Sequence, residues 1–179
     1  GQRIAQALLR LTGWTVGPFP DIDRAVIAGG PHTSNWDGVL ALVSRSALQK
    51  DVNVMIKSSL FKGPLGALLH ALGAMPIERG KAGGMVEQTV AAFAEREKLL
   101  NAVTPEGTRS NADQWKLGFF HIVRQAKVPI ILALADYQEK TFSFPVVIYP
   151  SDDMEADLQQ IYRHFAGVTP RHADKLSAW

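Results

Sequence analysis

From Arg24 onward the chain alternates short apolar runs with amphipathic stretches. "RAVIAG" is followed by the helical pattern of "DGVLALVSRSALQ", "VNVMIK" by "SLFKGPLGALLHAL", and "AMPIER" by "GMVEQTVAAFAEREK". "LLNAVTP" precedes the helical "LGFFHIVRQAK", and "VPIILALAD" reads as a buried strand. Apolar runs of this length bounded by turn residues read as strands buried on both faces, which requires helices on both sides of the sheet. The expectation is an α/β fold: a single domain, 1–179, with a central, largely parallel sheet flanked by helices. Ligands of such sheets gather at the carboxyl ends of the strands.

The 179 residues match one ordinary domain, and 46% hydrophobic content can fill its core. "TFSFPVVIYP" predicts one or two further strands, with Pro145 at an edge or bend. "DDMEADLQQIYRHFAG" predicts a closing helix, acidic at its start and basic at its end. The tail, 168–179, is polar and expected to pack loosely.

Residues 1–14 place Ile4, Leu8 and Leu11 on one side of an amphipathic helix, with Ala5 and Leu9 beside them. Such a helix packs on its own domain or lies on a lipid surface. The nearly apolar stretch "GPLGALLHALGAMPI" is fifteen residues long, short of the roughly 20 needed to cross a bilayer. It belongs to a broad apolar surface of Leu60, Phe61, Leu65, Leu68, Leu69 and Leu72, with Lys57 and Lys62 near its start. Nineteen Lys and Arg against 17 Asp and Glu give no overall case for nucleic acid. The absence of cysteine excludes a thiol nucleophile, a disulfide framework and a cysteine-ligated metal, and fits a reducing compartment.

Four polar clusters follow predicted strands: "PHTSNWD", "KSS", "ERG" and "PEGTRS". In the first, His32 and Asp37 are five apart and would lie on different faces of a regular helix. With Ser34 as N-cap, Asp37 falls in the first turn and can reach back to His32. That arrangement is a capping box, a proton-transfer pair, or both. As a pair, Asp37 accepts the Nδ1 proton and frees Nε2 to take a proton from a substrate hydroxyl. No GxSxG elbow is present, so a triad with a serine nucleophile is not indicated. In "TPEGTRS", Gly107 allows close backbone approach, Arg109 can bind phosphate, and Glu106 can orient the arginine or bind a hydroxyl. Arg79 ends another strand, and Lys116 precedes an apolar helix start; each is equally a surface charge.

Histidine, four residues and aspartate, followed by "GAMPIERG" and then "VTPEGTRS", resemble the glycerolipid acyltransferase family, which includes lysophosphatidic acid and glycerol-3-phosphate acyltransferases. The similarity runs from about Gly29 to Pro129. It implies a catalytic role for His32 and Asp37, and binding of the acceptor by Arg79, Glu106, Gly107, Thr108, Arg109 and Lys116. "VPI", Val128 to Ile130, resembles a block lining the acyl side. Pro31 stands where many members have asparagine, a departure that bears on the acceptor subgroup. The resemblance implies transfer of an acyl group from acyl-CoA or acyl carrier protein to a lysophospholipid hydroxyl, with 1-acylglycerol-3-phosphate as the leading acceptor. Acylation of glycerol-3-phosphate or a lyso-aminolipid, or hydrolysis of acyl thioesters or lipid esters, are the alternatives. No metal or cofactor is expected, no nucleic acid partner, and a peripheral position on the cytoplasmic side of a membrane.

Overall fold

The computed structural model describes residues 1–71, 73–77, 84–107 and 115–176, with the backbone alone at 55–57, 60, 68, 69, 71 and 77. The elements in chain order are α1 (Gln2–Thr12), β1 (Thr15–Val16), β2 (Arg24–Gly30), α2 (Asn35–Leu48), β3 (Val52–Lys57) and α3 (Gly63–Ala71). There follow β4 (Ala74–Ile77), α4 (Met85–Glu95), β5 (Leu99–Val103), α5 (Gly118–Ala126), β6 (Ile130–Asp136), β7 (Thr141–Ser143), β8 (Val147–Ile148) and α6 (Met154–Ala166). Single 3-10 turns cover Ser58–Leu60 and Ala173–Lys175. The first of these takes the start of the expected "SLFKGPLGALLHAL" helix, which becomes α-helical only at Gly63. β1 is a two-residue edge strand, too short to show any periodicity in the sequence.

The sheet order is β1-β7-β6-β2-β5-β3-β4, with β8 also on β6. From β6 to β4 all pairings are parallel, and the antiparallel pairs are confined to β6 with β7 and β8. The expected α/β domain with a largely parallel sheet is therefore the fold of the chain. β2 lies between β5 and β6, Val26 pairing with Asn101 on one side and Ile130 on the other. Its residues Ala25 to Ala28 are all buried, which explains an apolar run without alternation.

Side chains leave the sheet in two layers. Val26, Leu99, Ile130 and Leu132 meet Phe93 of α4, Phe120 and Val123 of α5, and Ile161 and Phe165 of α6. Ala25, Ile27, Leu100, Ile131 and Ala133 meet Ala5 and Leu9 of α1 and Leu40 and Ala47 of α2. Both faces are covered, as a parallel sheet requires.

The amphipathic helix at 1–14 forms as α1, but it buries only Ala5 and Leu9, while Ile4 and Leu11 are 68% and 84% exposed. Gly13 ends it in the left-handed region at φ 77°. The tail expected to pack loosely is tied to the domain as far as His172. The Tyr137 amide donates to Thr169 O at 2.8 Å, Pro170 is buried, and the His172 amide donates to Thr33 Oγ1 at 3.2 Å. Backbone donors and acceptors near the sheet rim find partners in this segment, which a count of its polar residues does not reveal. Positions 177–179 lie outside the described residues.

Gly30, the last residue of β2, lies under Phe165, whose ring a Cβ at this position would overlap. Because Phe165 is wholly buried, it has no free volume into which to swing. Gly30→Ala is expected to lower stability by about 1–3 kcal/mol through overpacking. Urea unfolding checks this: a midpoint equal to that of the wild type would show that the α6 contact is loose.

Candidate functional site

Parallel order brings the carboxyl ends of β5, β2 and β6 side by side. Leaving them are, respectively, the turn Thr104–Gly107, the loop that carries His32 into α2, and Tyr137. His32 and Asp37 meet as the sequence predicts, with Nδ1 3.3 Å from Oδ2. A carboxylate oxygen only accepts, so in the neutral ring this approach favours the proton on His32 Nδ1 and leaves Nε2 as the acceptor.

The capping box forms as well. Ser34 Oγ accepts from the Trp36 amide at 3.1 Å, and Asp37 Oδ2 accepts from the Ser34 amide at 2.8 Å and the Thr33 amide at 2.9 Å. The other oxygen, Oδ1, accepts from the Tyr137 hydroxyl at 2.6 Å. The carboxylate that starts the helix is thus the one that faces the imidazole. Burial pushes the Asp37 carboxyl up, but hydrogen bonds from His32, Tyr137, Ser34 and Thr33 outweigh it and hold the group below the ordinary 3.8.

Glu106 is 1% exposed, and its Oε1 accepts from the His32 amide at 2.6 Å. The resemblance implies contact with the acceptor; the structure turns this carboxylate onto the loop behind the histidine. Gly107 closes its turn with its amide donating to Thr104 O at 2.9 Å, at φ 65°. A Cβ there would stand 2.7 Å from Lys116 Cδ, so the lysine stem lies across the glycine. The Lys116 amide donates to Pro105 O at 2.8 Å, and its side chain is exposed at the rim. Arg79, Thr108 and Arg109 lie outside the described residues.

His32, Asp37, Gly107 and Lys116 share one open cavity of about 720 Å³. Its sheet wall includes the small residues Gly29, Ala102, Ala133 and Ala135 beside Ile27, Val52 and Val54, and the small ones leave room beneath α2. α2 presents Gly38, Ala41 and Leu42 to the same space, and Phe19, Phe142 and Phe144 contribute aromatic walls. Phe19 and Phe144 pack edge to face with centroids 4.8 Å apart. Val128 and Ile130 stand elsewhere: they are core residues at the amino-terminal end of β6, opposite the rim, packed with the α4 and α5 layer. Among the described residues no group of His, Cys, Asp and Glu has metal-binding geometry.

Tyr137 is the residue that motif reading misses. It is 100 positions from Asp37 in sequence and directly beyond the apolar run that forms β6. The strand-end rule points to its position; nothing local points to its partner.

A buried capping carboxylate paired with a histidine, at the strand ends of a parallel sheet and beside an apolar cavity, is an arrangement that can move a proton next to an apolar ligand. The sequence model of the acyltransferase family matches residues 17–133, well over half the chain. The chain belongs to this family, the glycerolipid acyltransferases, and is an acyltransferase. No curated protein and no solved structure matches it.

Asp37→Asn removes the charge and replaces one acceptor oxygen by a donor, which either opposes the Thr33 and Ser34 amides or, turned the other way, makes the Tyr137 hydroxyl accept instead of donate. It is expected to destabilise the protein by about 1–3 kcal/mol at neutral pH. Because the folded carboxyl titrates below its ordinary 3.8, its stabilisation is fully present above that value and is lost as pH falls through the folded value. Denaturant titrations of both proteins should therefore converge in acid, and a constant gap would contradict the hydrogen-bonded carboxylate.

Proposed function

We propose that the chain moves a fatty acyl group from acyl-CoA or acyl carrier protein to the hydroxyl of a lysophospholipid, with 1-acylglycerol-3-phosphate as acceptor. The observation that carries this reading is the His32–Asp37 pair lining the same apolar cavity as the small-residue wall beneath α2. An apolar cavity of this size accommodates a hydrocarbon chain and excludes water from part of the thioester.

In this mechanism His32 Nε2 takes the proton of the acceptor hydroxyl as its oxygen attacks the thioester carbonyl carbon. Asp37 stabilises the imidazolium that forms. The tetrahedral intermediate collapses with cleavage of the C–S bond, and the imidazolium returns its proton to the thiolate. Neither oxygen of Asp37 needs to take up a proton. Lys116 at the rim supplies positive charge for the acceptor phosphate, and Arg79 and Arg109 are proposed to share that role, orienting the acceptor without transferring protons.

A lysophospholipid reaches the site from a membrane. Among the described residues no helix is long and apolar enough to cross one. Ile4, Leu8 and Leu11 of α1 are exposed, with Arg3 and Arg10 on the same helix, and α2 exposes Trp36, Val39 and Leu42 near the cavity. Apolar side chains flanked by cations suit a surface-lying helix, so α1 is proposed as the docking element. Leu65 of the second apolar stretch is half exposed, and Phe61 packs on the His70 ring at 4.7 Å. Leu72 and the side chains of Lys57, Leu60, Leu68 and Leu69 lie outside the described residues.

Turnover of acyl-CoA with a panel of lysolipids, read by mass spectrometry, tests the reaction. Phosphatidic acid should form from 1-acylglycerol-3-phosphate, and His32→Ala should lower the rate by at least about a hundredfold, the usual contribution of a positioned general base. Free fatty acid released at a rate indifferent to acceptor would establish a hydrolase instead. Replacing Ile4, Leu8 and Leu11 together by Ser should weaken co-sedimentation with anionic vesicles about tenfold or more. Unchanged binding would remove α1 as the docking element.

A further inference from the structure

We propose that Tyr137 is a positioning residue for acyl transfer, fixing Asp37 so that Oδ2 faces His32 Nδ1 while Oδ1 is occupied. The inference rests on the reading of His32 as the base. The observation behind it is a division of labour between the two carboxylate oxygens. Oδ2 takes the Thr33 and Ser34 amides and faces the imidazole, whereas Oδ1 takes only the Tyr137 hydroxyl among the described contacts, at 2.6 Å. Without that hydroxyl, the carboxylate is held from the Oδ2 side alone, by the Thr33 and Ser34 amides, about a terminal torsion that is broad for aspartate.

Tyr137 is itself braced from three directions. The Trp14 ring meets it edge-on at 5.0 Å between centroids, the Arg171 guanidinium lies 5.8 Å from its ring centroid, and its backbone amide donates to Thr169 O at 2.8 Å. Arg171 also lies 5.4 Å from the Trp36 ring, one residue before Asp37. The segment after α6 therefore grips both the tyrosine and the start of α2, and the His172 amide reaches Thr33 Oγ1 at 3.2 Å. Burial and the adjacent Asp37 carboxylate push the Tyr137 hydroxyl up, so it stays a donor throughout the working pH range. Tyr137 is not among the residues that line the cavity, and with its ring and backbone held by Trp14, Arg171 and Thr169 and its hydroxyl on Asp37 Oδ1, it acts through Asp37.

Tyr137→Phe retains the ring contacts and removes the donor. Assayed with acyl-CoA and 1-acylglycerol-3-phosphate, it should lose about ten- to a hundredfold in kcat, the range for a hydrogen bond to a charged group, with KM for the acceptor little changed. The acid limb of kcat/KM should move to higher pH, because a carboxylate with one donor fewer holds more charge beside the imidazole and favours its protonated form. Incorporating 3-fluorotyrosine at 137, a more acidic donor of nearly the same shape, should move that limb to lower pH, and it serves equally if the Phe variant folds poorly. A folded Tyr137→Phe with wild-type kcat, or either variant with an unmoved acid limb, overturns the proposal. His32→Ala is run alongside: its near wild-type turnover would overturn the underlying reading, whereas an inactive His32→Ala beside an unaffected Tyr137→Phe overturns the role of Tyr137 alone.

Discussion

The Asp37 carboxylate joins everything that matters in this site. It caps α2 through the Ser34 and Thr33 amides, faces His32 Nδ1, and receives the Tyr137 hydroxyl. A buried carboxylate without partners would be costly and would titrate upward. Here the donors hold it in the charged state despite its burial. The hydrogen bonds that start the helix thus add to those from His32 and Tyr137 in keeping Asp37 ionised beside the imidazole at neutral pH.

That convergence depends on the sheet. β2 occupies the centre with β5 and β6 on either side, all parallel, so three chain segments distant in sequence end on one rim. β5 supplies Glu106 to hold the His32 amide, β2 supplies the histidine loop, and β6 supplies Tyr137. Small residues on the same strands, Gly29, Ala102 and Ala133, then keep the sheet wall low enough for a cavity to run under α2. The His32–Asp37 pair and the apolar volume beside it are consequences of one strand order, and α1 and α2 carry exposed apolar residues.

Much of this was legible in the sequence because its causes are local. The apolar runs of β2 and β6 need cover on both faces, and Ser34 followed by Asp37 three positions later is a helix start whatever else it does. The illegible parts are contacts between distant segments. Tyr137 reaches Asp37 across 100 positions, Glu106 turns inward to the His32 amide, and a polar segment after α6 docks by backbone hydrogen bonds that its composition does not encode. Val128 and Ile130 mislead for the opposite reason: their apolar character suits a lipid-facing wall and a core equally, and their place at the start of β6 decides for the core.

The central claim is that Asp37 fixes the tautomer of His32, leaving Nε2 free to accept a proton. Nitrogen NMR of protein labelled with ¹⁵N-histidine, with the His32 signals assigned by their loss in His32→Gln, reads this directly. The account predicts that the neutral ring carries its proton on Nδ1, and that Asp37→Ala removes this preference. A neutral His32 carrying its proton on Nε2 would contradict it, because the ring would then have no base to offer the acceptor hydroxyl.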